Sequence, residues 1–178
     1  MPGQSLNRNA ANNVLVNFGS TTGAYSTGQV IGTPQKIVCG LEKGGTSTLV
    51  SAMLIDLANQ KLAVDIFFFS MNPASVGADK ASFALSTTDA LSLMGRYSFL
   101  ATAYSVASSA GVSEATVGLL QIGLVSANGN PVGSGTTVAA STPTLASNNN
   151  FAYVVAVARG APTYGANGLY GRFTLWMD

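Results

Sequence analysis

Apolar positions along this chain recur mostly at every second residue, the period of a strand with one buried face. The strongest run is "LAVDIFFFSM" at 62–71. In a strand, Val64, Ile66 and Phe68 point one way and Asp65, Phe67 and Phe69 the other. Both faces are apolar at the phenylalanine end. If one face packs into a core, something else must cover the second. The run "TSTLVSAMLIDL" at 46–57 is two-sided in the same way, as is "FAYVVAVA" at 151–158, where Phe151, Tyr153, Val155 and Val157 alternate with small residues and Val154. The outer faces of these three strands are expected to meet solvent, an arm or a partner. An uncovered "IFFF" strand would be an aggregation hazard.

The short four-residue turn "ANQK" (58–61) between the first two runs predicts an antiparallel hairpin. Further strands are expected at "QKIVCGL" (35–41), "RYSFLATAYSVA" (96–107), "EATVGLLQIGLVSA" (114–127) and "LYGRFTLWM" (169–177). Gly118 and Gly123 are candidate bulge positions. "EKGG" (42–45), "SSAGVS" (108–113) and "NGNPVGSG" (128–135) read as turns. The polar stretch 136–150 reads as a connection with at most one short edge strand. Ser86 to Asp89 has the form of a capping box, which predicts one short helix near 87–94 with Gly95 as its stop.

Residues 1–34 are rich in Asn, Gly, Ser and Thr, interrupted by Val14, Val16 and Phe18 alternating with Leu15 and Asn17. They read as an extended arm, ordered only against another surface, or as a floppy tail. The domain plan is therefore an arm at 1–34 and a β-sandwich domain at 35–178. About eight strands and one helix predict an all-β fold, an antiparallel two-sheet sandwich, with a jelly roll preferred over an immunoglobulin-like sandwich or a closed barrel.

Composition changes the picture in one respect. Only 8% of residues are charged, against about 25% in ordinary globular proteins, while the apolar share is 47%. Depletion of Lys, Glu and Asp is a property of interface cores, although a neutral Ser/Thr/Asn/Gly surface would give the same numbers. Eight basic and seven acidic residues give a net charge of +1. The basic residues are dispersed, so nucleic-acid binding is not expected. No run of 18 apolar residues occurs, so no membrane helix is expected. The opening residues have no continuous apolar stretch of signal-peptide type, which implies synthesis in a cytoplasm without export.

Candidate chemistry is sparse. The chain has no histidine and a single cysteine, Cys39. This removes His-containing triads and makes zinc and iron–sulfur sites unexpected, so no cofactor, no metal and no enzymatic activity are expected. Cys39 reads as a small core residue. Asp56 and Asp65 flank the 58–61 turn and would face each other across a hairpin as a glycosidase-like pair, but solvated or singly bonded strand acids are the preferred reading. Asp65 is expected at a rim. "GANGLYG" (165–171) reads as a tight turn rather than a phosphate loop. The aromatics Tyr153, Tyr164, Tyr170 and Trp176 have the form of sugar-stacking groups, with core or interface packing as the commoner use. The candidate interface set is Val14, Val16, Phe18, Phe67, Phe69, Tyr153, Tyr164, Tyr170 and Trp176.

At "AVDIFFFSMNPASVGADKASFALSTTDALSLMGRYSF" and "FAYVVAVARGAPTYGANGLYGRFTLWMD" the chain resembles a group of small tailed-bacteriophage virion proteins. The shared look is a Phe-rich strand ending in "FF.NP", a polar loop with an "LSTTDA"-like stretch, and a late "Y.V.V.RG.PTY" strand and loop. It covers about residues 46–178 and carries no catalytic motif. The resemblance implies a capsid decoration (cement) protein on the outer shell of the virion, made in the host cytoplasm. It also implies contacts with the major capsid protein and with copies of itself, often as a homotrimer. A tail or head-fibre component contacting a receptor, and a carbohydrate-binding β-sandwich module, are the alternatives.

Overall fold

The two-residue alternation becomes strands along most of the chain. The structure, a computed structural model, describes residues 10–39, 46–106, 111–125 and 151–177. The first nine residues of the expected arm, the turns at 42–45 and 128–135, the first half of the turn at 108–113, and the 136–150 connection lie outside the described residues. The elements are β1 (Ala10–Asn17), β2 (Gly23–Ala24), β3 (Val30–Val38), β4 (Thr46–Asp56), β5 (Val64–Phe69), α1 (Thr87–Leu91), β6 (Leu93–Phe99), β7 (Tyr104–Val106), β8 (Ser113–Val125), β9 (Phe151–Ala158), β10 (Thr163–Tyr164) and β11 (Leu169–Met177).

Two antiparallel sheets form a sandwich. One has five strands in the order β1-β11-β4-β8-β7 and the other four in the order β3-β9-β5-β6, with β10 and β2 pairing as a small ribbon. The all-β expectation and the single short helix hold. Inner-face residues of both sheets make the main core: Val16, Leu49, Leu54, Phe173 and Leu175 from one side, Ile37, Ile66, Phe68 and Val154 from the other. Phe68 meets Phe173 edge to face at 5.5 Å, the arrangement that ring quadrupoles favour. Gly171 admits this packing, since a Cβ there would lie 2.7 Å from the Phe173 ring.

Several local expectations are corrected. β4 and β5 do not form a hairpin; they belong to different sheets. The 58–61 turn is a corner between sheets. Asp56 builds it: its carboxylate accepts the backbone N–H groups of Ala58 and Lys61, each at 2.9 Å, while Asn59 and Lys61 take left-handed backbone angles of 51° and 52°. Loop length alone does not distinguish a turn within a sheet from a corner between two. Asp56 and Asp65 therefore do not face each other across a ladder. The expected strand at 96–107 is likewise two strands, β6 in one sheet and β7 in the other, separated by a 3-10 turn at Ala101–Ala103. The helix has the expected N-cap, with Ser86 Oγ accepting the Asp89 N–H, but it stops at Ser92, and Gly95 lies within β6.

The described part of the expected arm belongs to the sandwich. All of β1 pairs with β11, from Ala10 opposite Met177 to Asn17 opposite Tyr170. Its alternation matches the inner face of that sheet, so Val16 and Phe18 are buried in the main core. β3 begins at Val30, before the expected Gln35, and takes "GTP" into an irregular stretch where its register with β9 shifts. Gly32 has φ +74°, and a Cβ there would overlap the Phe18 carbonyl oxygen at 1.5 Å, so only glycine fits.

The second face of β5 is covered by the chain itself. All six residues of β5 are buried. Phe67 and Phe69 form a second cluster with Val30, Val76, Val155 and Val157, and Tyr153, Phe83 and Leu85 pack against it. The cover is the 70–92 connection between β5 and β6. Phe83 lies 4.4 Å from Phe67, ring centre to ring centre. The connection is fastened through its backbone: Val30 N–H donates to Ala81, Lys80 N–H to Val30, and Phe83 N–H to Gly28. Two carboxylates complete the fastening. Asp89 accepts the N–H groups of Ala74 at 3.1 Å and Ser75 at 2.7 Å and the Ser86 hydroxyl at 3.0 Å. Asp79 accepts the Tyr25 hydroxyl at 2.7 Å, the Gly32 N–H at 2.5 Å and the Thr21 hydroxyl.

Candidate interaction surface

With both faces of β5 covered, the exposed apolar side chains lie elsewhere. Residues paired across antiparallel strands share a face, so register fixes what the outer side of the five-stranded sheet presents. One row runs Leu15–Arg172–Met53–Thr116 and the next Asn17–Tyr170–Ile55–Glu114. Asn13–Thr174–Ser51 forms a third, and Trp176 pairs with Thr48. Leu15 keeps 58% of its surface in solvent and Trp176 55%. Met53, Ile55 and Tyr170 are half-buried by their neighbours. Side-chain hydrogen bonds tie the β1 and β11 rows together: the Thr174 hydroxyl donates to Asn13 Oδ1 at 2.8 Å, and the Asn17 amide to the Tyr170 hydroxyl at 3.5 Å.

This face combines an open indole and leucine with short hydroxyl and amide groups, which lose little rotamer entropy when covered. Among the described residues, Arg172 and Glu114 are its charged groups. Such chemistry suits a neutral protein surface or a sugar ring, not a polyanion.

The nine candidate interface residues divide sharply. Val16, Phe18 and Tyr164 are buried in the main core, with Val14 packed against it. Phe67 and Phe69 are buried in the second cluster and Tyr153 packs on it. Tyr170 and Trp176 lie on the outer face just described. Leu15 is absent from that set because Val14, Val16 and Phe18 define the alternation of β1. Three apolar positions in step mark a core face, and the lone apolar residue out of step is then the exposed one.

The remaining reactive groups are held in structural roles. Cys39 is buried, and burial pushes its thiol up to about 11, so it stays protonated and non-nucleophilic at neutral pH. Asp65 is 2% exposed, not a rim group; it lies 3.4 Å from Arg159 and 4.0 Å from Arg96, at the polar start of β5. Among the described residues, no three of Cys, Asp and Glu come together as metal ligands. No protein-family model matches the chain, and no curated protein matches its sequence.

Proposed function

We propose that this chain is a structural protein of a tailed-phage virion, a decoration or cement protein that binds the major capsid protein on the outer shell and associates with copies of itself, a trimer being the favoured state. The observation that carries this reading is the open outer face of the five-stranded sheet. The two-sided strand β5 is covered internally, yet Leu15 and Trp176 remain in solvent on one continuous sheet face. Low charge supports the same reading, because such a surface is cheap to desolvate.

Strand order adds support. With the short β2, β7 and β10 set aside, eight strands remain. They are ordered first-eighth-third-sixth in one sheet and second-seventh-fourth-fifth in the other. This order supports a jelly-roll reading of the sandwich, an architecture used by viral capsid and lectin domains. Architecture does not by itself imply function, so the weight stays on the surface. The trimer rests on the resemblance.

Electron cryo-microscopy of particles assembled with and without the chain tests the proposal. The expected result is added density on the outer shell, with the Leu15–Trp176 face against the shell or a neighbouring copy. Density absent from the shell, or that face pointing to solvent, contradicts it.

A second reading, a carbohydrate-binding module or a fibre component contacting a receptor glycan, is favoured by Trp176 standing open beside the Thr174–Asn13 pair. Glycan-array binding abolished by Trp176→Ala, in a protein that leaves capsids bare, would select it.

A further inference from the structure

One end of the sandwich buries a carboxylate and several hydroxyls beside apolar core residues such as Leu169. Asp56, the last residue of β4, is fully buried, and so is its register partner Ser113 at the start of β8. Tyr104 opens β7 opposite Ala115, two positions from Ser113 on the same face of the sheet. Tyr164 arrives from the β10–β11 side. It is 1% exposed, and a Cβ on Gly168 would lie 3.1 Å from the Tyr164 Cβ. Gly168 in turn accepts the N–H of Leu57, the residue after Asp56, at 2.9 Å.

The hydroxyls of Tyr104, Tyr164 and Ser113 are all buried, and none has a hydrogen-bond partner among the described residues. Native interiors leave few such groups unpaired, and three stand near one buried carboxylate, Ser113 as the register partner of Asp56 and both tyrosines close enough to feel its charge, so a common partner would satisfy them all. Each Asp56 oxygen accepts one backbone N–H, from Ala58 or Lys61, which leaves each a further lone pair. A water molecule supplies what these groups lack: it donates to a carboxylate, accepts from a hydroxyl, and typically makes about three bonds when buried.

We propose that this end of the sandwich is a built water site, in which one or two ordered waters bridge the Tyr104, Tyr164 and Ser113 hydroxyls to the Asp56 carboxylate. The site locks the corner where the chain leaves one sheet for the other. Both tyrosines stay neutral donors there. Burial pushes each phenol well above its ordinary value, and the Asp56 charge pushes it further.

A high-resolution crystal structure of the protein, together with melting curves for Tyr104→Phe and Tyr164→Phe, tests this. Expected are discrete solvent peaks about 2.7–3.2 Å from at least three of the four groups, and a lower Tm for both variants, by about 2–4 °C. Removing a hydroxyl that holds water loses a bond, whereas removing an orphan hydroxyl relieves a penalty. Three results overturn the proposal: hydroxyls bonded directly to one another or to Asp56, a peak with the shorter contacts of a metal ion, or an unchanged or raised Tm in the Phe variants.

Discussion

Asp89 shows how much one carboxylate can organise. Burial alone would raise its carboxyl, but hydrogen bonds from Ser75, Ser86 and Ala74 outweigh this and hold it below the ordinary 3.8. Asp79 behaves alike: burial raises it, and bonds from Thr21, Gly32 and Tyr25 bring it below 3.8. A folded value under the unfolded one means stability that is fully present above the unfolded value and lost as pH falls through the folded one. Thermal melts are therefore expected to be flat above about pH 5 and to drop below pH 3.8, with a shallower acid slope in Asp89→Asn. At neutral pH, Asp89→Asn should cost about 1.5–3 kcal/mol in urea unfolding, because an amide offers one acceptor where three donors converge. An unchanged acid slope would contradict this role. In the sequence Asp89 was legible only as a helix cap. Its bonds to Ala74 and Ser75 reach residues 15 and 14 positions away, which no local pattern encodes.

At the scale of elements, the alternation of β5 was legible, and so was the demand that both its faces be covered. The identity of the cover was not. Val76 stands seven positions before Phe83, and Phe83 and Leu85 alone are too short an alternation to mark an element; it is Asp79, Asp89 and backbone bonds that hold all three over Phe67 and Phe69. The 58–61 corner was not legible for a related reason: the decisive contact is the Asp56 side chain reaching forward to accept the Lys61 N–H, in a turn whose length also fits a hairpin. Because Phe67 lies in the chain's own second cluster, Phe67→Ser should lower stability by about 3–5 kcal/mol in urea unfolding, independent of protein concentration, and should raise binding of a hydrophobic dye. A loss of stability that vanishes on dilution would instead place Phe67 between subunits.

For the whole molecule, the sandwich followed from strand count and near absence of helix, while the pairing order did not, since all but one of the connections between the eight main strands cross from sheet to sheet. The open surface was half legible. Trp176 and Tyr170 were identified from aromatic character, but Leu15 emerges only once β1 is seated against β11 with Val14 and Val16 inward. Seating β1 also turns residues 10–17 of the expected arm into an edge strand, so the proposed assembly is assigned to a sheet face and not to this segment. Among the described residues Leu91 is the most exposed large apolar side chain at 83%, and it sits on α1, away from this face, which makes it a suitable control position.

The most direct measurement is a binding titration of purified capsid shells with the wild-type chain, the double variant Leu15→Asn/Trp176→Ala, and the control Leu91→Asn. An anchoring tryptophan at an interface centre is worth at least about 2 kcal/mol, or roughly 30-fold in affinity. The predicted result is a loss of at least that size in the double variant, with its melting temperature and the affinity of the control unchanged. Equal affinity of the double variant and the wild type, with both fully folded, would contradict the assignment of this sheet face as the surface through which the protein assembles.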